Sequence, residues 1–322
     1  MRVARRIIKY APFNHTKKPD LYFASSDRDL KDKPLVTACT FVLLQYNHPE
    51  VTRGCVERIR KLVSTIPVSV IVVDNGSSEE ALSETRTFCA GDPSITLIET
   101  GDNLGFARGN NEGYRLAKSK SINQIVIVMN NDVMIEDRNF VKKILKAYAR
   151  DGYSILAPDI VVPGKYKMHQ NPFRYELRSR DDALSFIDNC ARKIDLIEKG
   201  QMTLSPHQPR GKKHRDLRRR TGEIVPHGSA YIVSPIFLMD FENIFDERTF
   251  LYGEEDILAL RALSRGHRIV YDPSVRVWHH TKASTDTKHL ETYYLFRYRS
   301  SIESARIYVS LWDEIINKVG KK

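Results

Sequence analysis

No stretch of this 322-residue chain approaches the roughly 18 consecutive apolar residues that a membrane-spanning helix requires, so an integral span is not expected. The opening stretch, Met1 to Tyr10, carries charge but no apolar core, and a secretory signal is not expected either. Cysteine is scarce: Cys39, Cys55, Cys89 and Cys190 are the only four, and none stands in a C-x-x-C pair. Cys39 and Cys55 fall on apolar positions of a strand and a helix, which reads as buried, reduced thiols of a cytoplasmic protein. G-x-G-x-x-G and G-x-x-x-x-G-K-S/T are both missing, which disfavours a dinucleotide dehydrogenase and a P-loop NTPase.

What is present is ordinary globular material, 41% hydrophobic and 28% charged, long enough for one large domain or two closely joined halves. The charge is less ordinary. Lys and Arg number 51 against 40 Asp and Glu, a formal net charge of +11, which favours anionic partners: nucleic acid, acidic lipid or phosphorylated substrates.

Four strand-like runs end in polar residues. Thr37 to Gln45 ends in Tyr46-Asn47, and Val68 to Val73 in Asp74-Asn75-Gly76. Ile95 to Ile98 leads into Gly101-Asp102-Asn103-Leu104-Gly105, and Ile125 to Met129 ends in Asn130-Asn131-Asp132. Helical patterns alternate with them: one from Pro49, one capped by a box at Ser77-Ser78-Glu79-Glu80, one over Phe106 to Lys118 and one over Asp137 to Arg150. This predicts an α/β domain with a mostly parallel, Rossmann-like central sheet flanked by helices. In such sheets ligands sit beyond the carboxyl ends of the strands. Four ends rich in amides, carboxylates and glycines therefore outline one site for a nucleotide-linked substrate.

Residues 1–34 read as an N-terminal extension, 35–162 as the nucleotide-binding half and 163–287 as a second half. The second half contains a helix over Asp181 to Lys199 and a basic insertion around 206–221. Arg210, Lys212, Lys213, Arg215, Arg218, Arg219 and Arg220 lie in that insertion with no interleaved aromatics, so base stacking is not suggested. A solvated loop and a phosphate- or membrane-contacting one both fit. Ile224 to Ser234 is predicted as a strand, Gly253 to Ser264 as a helix, and His267 to Tyr271 and Val275 to Trp278 as two short strands. The tail, 288–322, is a C-terminal helical extension rich in Tyr and Arg. It could pack on its own domain, on a second subunit as a homodimer, or in a membrane interface.

Each candidate site residue has a structural reading beside the functional one. Asp74 can accept hydrogen bonds from a base or ribose, or simply cap a helix. Asp132 can share a divalent cation with a diphosphate, or make a turn. The loop from Asn103 through Gly105 and Arg108 to Asn110 allows close backbone approach to phosphate. Glu254, Glu255 and Asp256 open a helix, where the dipole favours acids. Crowded carboxylates also raise at least one pKa, which suits a general base. His279 could ligate a metal or contact phosphate, or be packing.

Taken in order, Tyr46-Asn47, Asp74-Asn75-Gly76-Ser77-Ser78, Asn103-Leu104-Gly105-Phe106-Ala107-Arg108-Gly109-Asn110-Asn111, Asn130-Asn131-Asp132, Glu254-Glu255-Asp256 to Arg261, and Trp278-His279 resemble the inverting family 2 glycosyltransferases with the GT-A fold. The resemblance covers about residues 37 to 285, and within the family it is nearest the rhamnosyltransferase-like group of bacterial cell-surface polysaccharide synthesis (capsule or O-antigen).

It implies that Asp74 binds the nucleotide base with Tyr46, Asn47 and Asn75 around it. Asn103, Gly105, Arg108, Asn110, Asn130 and Asn131 would approach the donor. Asp132 and His279 would hold Mn2+ or Mg2+, and Glu255 would be the base, with Glu254 and Asp256 beside it. Three departures stand out: Asn130-Asn131-Asp132 in place of D-x-D, Arg108 in place of a small residue, and Glu254-Glu255-Asp256 in place of E-D-x-D, which leaves Asp256 as the other candidate base.

The implied activity is transfer of a sugar, from dTDP-rhamnose or a UDP-sugar, to a hydroxyl of a growing, lipid-linked glycan. The implied location is the cytoplasm or the inner membrane face, without nucleic acid. Two alternatives are a sugar nucleotidyltransferase, against which Gln45-Tyr46-Asn47-His48-Pro49 stands where that class places a Gly-rich basic loop, and a noncatalytic polyanion- or nucleic-acid-binding protein.

Overall fold

The computed structural model describes residues 33–164, 168–205, 221–280 and 289–320. Nearly all of the N-terminal extension and the whole basic run from Arg210 to Arg220 lie outside the described residues.

The first half alternates as its sequence pattern predicts. Strands β1 (Ala38–Gln45), β2 (Val68–Asp74), β3 (Ile95–Glu99) and β4 (Gln124–Asn130) are separated by helices α1 (Pro49–Ile59), α2 (Glu79–Ala90) and α3 (Gly105–Lys120). Short β5 (Val133–Met134), helix α4 (Phe140–Asp151) and β6 (Ile155–Val162) follow. β1 and β6 are buried almost end to end, as strands covered on both faces must be. Pro49 opens α1, where its missing N–H costs nothing. The expected capping box before α2 is only half present. Ser78 caps by accepting from the Ala81 N–H, but Ala81 has no carboxylate to return the bond.

The remaining elements are β7 (Met168–His169), α5 (Arg180–Glu198), β8 (Thr221–Gly222), β9 (Ala230–Val233), α6 (Pro235–Asp240), α7 (Glu254–Ser264), β10 (Ile269–His279) and α8 (Leu290–Gly320). The described residues form one ten-stranded sheet in the order β3-β2-β1-β4-β9-β6-β10-β5, with β7 on β6 and β8 on β10. β3, β2, β1 and β4 run parallel, as do β6 and β10. β9 is antiparallel to both its neighbours and joins these two blocks.

Two expectations change here. Only the end of the predicted strand over Ile224 to Ser234 is extended in the sheet, because Pro226 and Gly228 interrupt pairing ahead of β9. The two short strands after His267 merge into β10, which takes up Pro273 at an irregularity between Asp272 and Arg276.

One core layer packs α1, α2 and α4 on one face of the sheet, through Phe41, Leu43, Val72, Ile127 and Ile144. The opposite layer packs α3, α6 and α7 through Val42, Tyr114, Tyr231, Phe237 and Leu258. α8 lies along α5 and α7, with Tyr308 buried beside Ile257, Leu260 and Ala183. All four cysteines are free and buried, and burial pushes the Cys39 thiol up to about 12, which leaves it unreactive. No helix among the described residues is long and apolar enough to cross a membrane.

Candidate active site

The parallel register sets the site. Gln45 lies level with Asp74, Asp74 with Glu99, and Leu44 with Asn130, so the ends of four strands share one sheet edge. The loops beyond that edge bind one another. Asn47, at φ 56°, donates its backbone N–H to Ser77 Oγ (2.9 Å), and its Oδ1 accepts from the Ser78 N–H (2.8 Å). Asn tolerates that left-handed backbone better than most residues.

Asn75 organises the next loop. Its Nδ2 donates to Asn103 Oδ1 (3.1 Å) and to the Gly105 carbonyl (3.3 Å), and its Oδ1 accepts from the Leu104 N–H (3.1 Å). Gly76 is at φ 74°, and a Cβ there would lie 2.4 Å from the Asp102 carbonyl carbon, so the approach of these two loops requires glycine.

Within this frame Asp74 is 1% exposed. Its Oδ1 accepts from the Ser77 N–H (3.0 Å), and its Oδ2 is buried without a hydrogen-bond partner among the described residues. Tyr46, Asn103 and Arg108 are exposed around it. Asn110 is turned inward, donating to the Phe106 carbonyl (2.9 Å). Its neighbour Asn111, which the motif reading quotes without a role, exchanges two hydrogen bonds with the backbone of Phe245 (3.1 and 3.0 Å) and ties α3 to the segment before α7.

At the end of β4, the Asn130 N–H donates to the Ser229 carbonyl and Asn131 Nδ2 donates to Thr52 Oγ1 (2.9 Å). Asp132 is buried and faces His279 across the antiparallel β5–β10 pair, with Oδ1 3.4 Å from His279 Nε2. His279 Nδ1 lies 2.7 Å from Gln170 Oε1. With that oxygen as acceptor Nδ1 is the donor, and in a neutral imidazole Nε2 would then turn a lone pair toward Asp132. That arrangement, with a buried Asp132 oxygen that has no hydrogen-bond partner among the described residues, fits a divalent cation between the two side chains, with Gln170 orienting the imidazole from behind. No group of three or more His, Cys, Asp or Glu able to hold a metal occurs among the described residues, so these two side chains alone would leave a divalent cation's shell incomplete. His227 stacks edge-on between His279 and Phe173, and burial, reinforced by His279, pushes it down to about 3, so it stays neutral.

The three acids opening α7 diverge completely in environment. Asp256 is paired with Arg174 and with Arg178 (3.3 Å). Glu254 is 4% exposed, and burial followed by the Glu255 charge pushes it up to about 8. Among the described residues its Oε1 has no hydrogen-bond partner, and neither does the buried Tyr231 hydroxyl nearby. Burial also raises Glu255, against backbone hydrogen bonds and the Arg174 charge, which lower it. A Cβ on Gly228 would lie 2.7 Å from Glu255 Oε1, so a side chain there would displace that carboxylate from its present position.

Gln170, Arg174, His227, Gly228 and Tyr231 are absent from the sequence-level site. The turn-like Pro226-His227-Gly228-Ser229 was the one local signal available, and nothing around Gln170 marks it.

A family model described as "Glycosyl transferase family 2" matches residues 40–223, a span that ends before Glu254, Glu255 and His279. Among curated proteins, the low-salt glycan biosynthesis hexosyltransferase Agl10 of Haloferax volcanii is 31% identical over 118 residues. That segment is 36% of this chain and 36% of the relative, so the match spans about a third of Agl10. Among solved structures, GalNAc-T7 with UDP, GalNAc and Mn2+ superposes with a TM-score of 0.50 at 12% identity, over 78% of this chain and 45% of that one. The mannosyltransferase PcManGT of Pyrobaculum calidifontis, in complex with GDP-Man and Mn2+, gives 0.47 at 15% identity over 87% and 74%. The fold is therefore that of the GT-A glycosyltransferases, and with the family model covering more than half of its length the chain belongs to glycosyl transferase family 2.

Proposed function

We propose that this protein transfers a glycosyl group from a nucleotide-diphosphate sugar to an acceptor hydroxyl with inversion. Residues 35–162 hold the donor and 163–287 the acceptor. The observation that carries the reading is a pair of buried carboxylate oxygens without hydrogen-bond partners among the described residues, Asp74 Oδ2 and Asp132 Oδ1, at the ends of two parallel strands, β2 and β4, on one sheet edge. A buried acceptor left unbonded is costly, so each calls for a ligand group: an N–H or hydroxyl at Asp74, a cation at Asp132.

In this reading Asp74 takes the base or ribose, with Tyr46 and Asn47 at the same pocket. Asn75 holds the loop Asn103–Gly105 in place, and Arg108 meets phosphate from the exposed face of α3. Asp132 and His279 hold Mn2+ or Mg2+, which when bound offsets charge on the departing diphosphate. Glu255 accepts the proton of the acceptor hydroxyl. The acceptor oxygen bonds the anomeric carbon, and the bond to the diphosphate breaks with its electron pair leaving on the diphosphate. A single displacement inverts that carbon. Asp256 is held by two arginines and is poorly placed to act as the base, which favours Glu255.

A hexose on UDP is the first donor to test, given the hexosyltransferase relative and the UDP of the GalNAc-T7 structure, with dTDP-rhamnose second. A lipid-linked glycan acceptor at an anionic membrane face fits the net charge of +11. A thermal-shift panel of nucleotide-diphosphate sugars, each with Mn2+, Mg2+ or EDTA, tests the reading. Metal-dependent stabilisation by one nucleotide series is expected. Stabilisation by arbitrary RNA or DNA and by no nucleotide sugar would overturn it.

A further inference from the structure

One face of α8 runs Phe296, Ser300, Ser304, Tyr308, each four residues from the last. Tyr308 is buried against α7 and donates its hydroxyl to the Arg178 carbonyl (2.7 Å). Ser304 is buried against Gly253, where a Cβ would come within 2.8 Å of its own. Ser300 is also buried. One turn further toward the start of the helix the same face should be covered again, yet Phe296 is 42% exposed.

What Phe296 meets is the loop leading into the acids of α7. Its ring lies 6.2 Å from that of Phe250, edge-on, and 6.4 Å from that of Tyr252. Phe250 is itself 43% exposed. Tyr252 stands at φ 71°, a backbone conformation that bulky residues rarely adopt. It is held there by the Arg297 guanidinium over its ring (5.5 Å) and by a hydrogen bond with Tyr293. A strained aromatic kept in place beside two exposed ones points to a use for the rings.

Their position supplies the use. The Phe250 carbonyl accepts from the Phe106 N–H (2.7 Å), and a Cβ on Gly105 would lie 2.6 Å from the Phe250 ring, so this loop touches the donor loop. At its other end the loop continues through Gly253 into Glu254 and Glu255. The aromatic surface therefore spans the space between the donor loop and the proposed base, where an acceptor must lie. A pyranose presents a face of C–H bonds and a rim of hydroxyls. It gains from an exposed aromatic face without requiring a wholly apolar pocket.

We propose that Phe250, Tyr252 and Phe296 form a stacking platform for a sugar ring of the acceptor, so that the first turns of α8 are part of acceptor recognition. This rests on the glycosyltransferase reading and adds to it the residues that would recognise the acceptor's sugar ring.

The test uses the full chain, an array of tethered oligosaccharides, and titration of the strongest one bound. Phe296→Ala is expected to weaken that binding about tenfold, with Phe296→Tyr close to wild type. Stabilisation by UDP with Mn2+ is followed in parallel. Retained stabilisation with lost oligosaccharide binding supports the platform. Unchanged oligosaccharide binding in Phe296→Ala overturns it, as does a wild type that binds no oligosaccharide while UDP still stabilises it. If Phe296→Ala instead converts a dimer to a monomer, or abolishes flotation with anionic vesicles, and leaves oligosaccharide binding intact, the surface belongs to a second copy or a membrane and the proposal fails. A wild type stabilised by no nucleotide would overturn the underlying reading instead.

Discussion

Around Asp74 the polar groups bond to one another; around Glu255 they are crowded by burial. On the first side Asn47, Ser77, Ser78, Asn75 and Asn103 lock the loops together and leave Asp74 Oδ2 without a hydrogen-bond partner among the described residues. On the second, buried Glu254 and half-buried Glu255 stand side by side near a tyrosine hydroxyl with no partner among the described residues, and both are shifted toward their neutral forms. In the proposed reading the difference is one of task. Binding a donor calls for groups already fixed in position, which a hydrogen-bonded loop network supplies. Removing a proton calls for a carboxylate whose affinity for it has been raised, which burial supplies.

The largest expected effect separates the two sides outright. Glu255→Gln should lower turnover by about 10²–10⁴-fold, measured as nucleotide release with acceptor present, while donor-induced thermal stabilisation persists. Wild-type turnover in that variant would break the assignment of the base.

Gly228→Ala should come next. Its new methyl would meet Glu255 Oε1, and displacing a reacting group by about 1 Å can cost about 10²-fold. The loss should appear in turnover and leave metal-dependent donor binding unchanged; an equal loss in both would mean that the turn supports the whole cleft.

On the donor side, Gln170→Ala should release the His279 imidazole and weaken Mn2+ by about 10–100-fold, read as the Mn2+ concentration needed for half-maximal donor stabilisation. No change would remove His279 from the metal site.

The smallest effect is on stability. Glu254 is raised from 4.5 to about 8 in the folded protein. Between those pH values the unfolded chain has lost the proton that the folded one keeps, so stability falls as pH rises through that window and levels off above it. Glu254→Gln should flatten this slope in a series of melting curves from pH 5 to 8.5. An unchanged slope would place the titration elsewhere.

Much of the fold was legible because its signals are local. The apolar runs of β1, β2, β3 and β4, the Pro49 start of α1 and the periodic faces of α3 and α4 each lie within a few residues of one another. The second half was harder. Ile224 to Ser234 looks like one strand by composition, but Pro226 and Gly228 turn the chain so that the backbone can pass beside Glu255. Breaks of that kind sit where a site needs close approach, and apolar patterning does not register them.

The polar strand ends and their order along the chain are properties of the sequence alone. They were enough to point to a parallel sheet with one polar edge suited to a nucleotide-linked substrate, because strand alternation and turn chemistry act over short range. Which acid stays buried with a raised pKa, which is taken by arginine and which histidine faces Asp132 depend on partners brought from far away. Arg178 meets Asp256 across 78 positions, and Gln170 meets His279 across 109. Three consecutive acids look alike on paper. Only the packed environment makes them different, because burial and charge are set by what the tertiary structure places against each one.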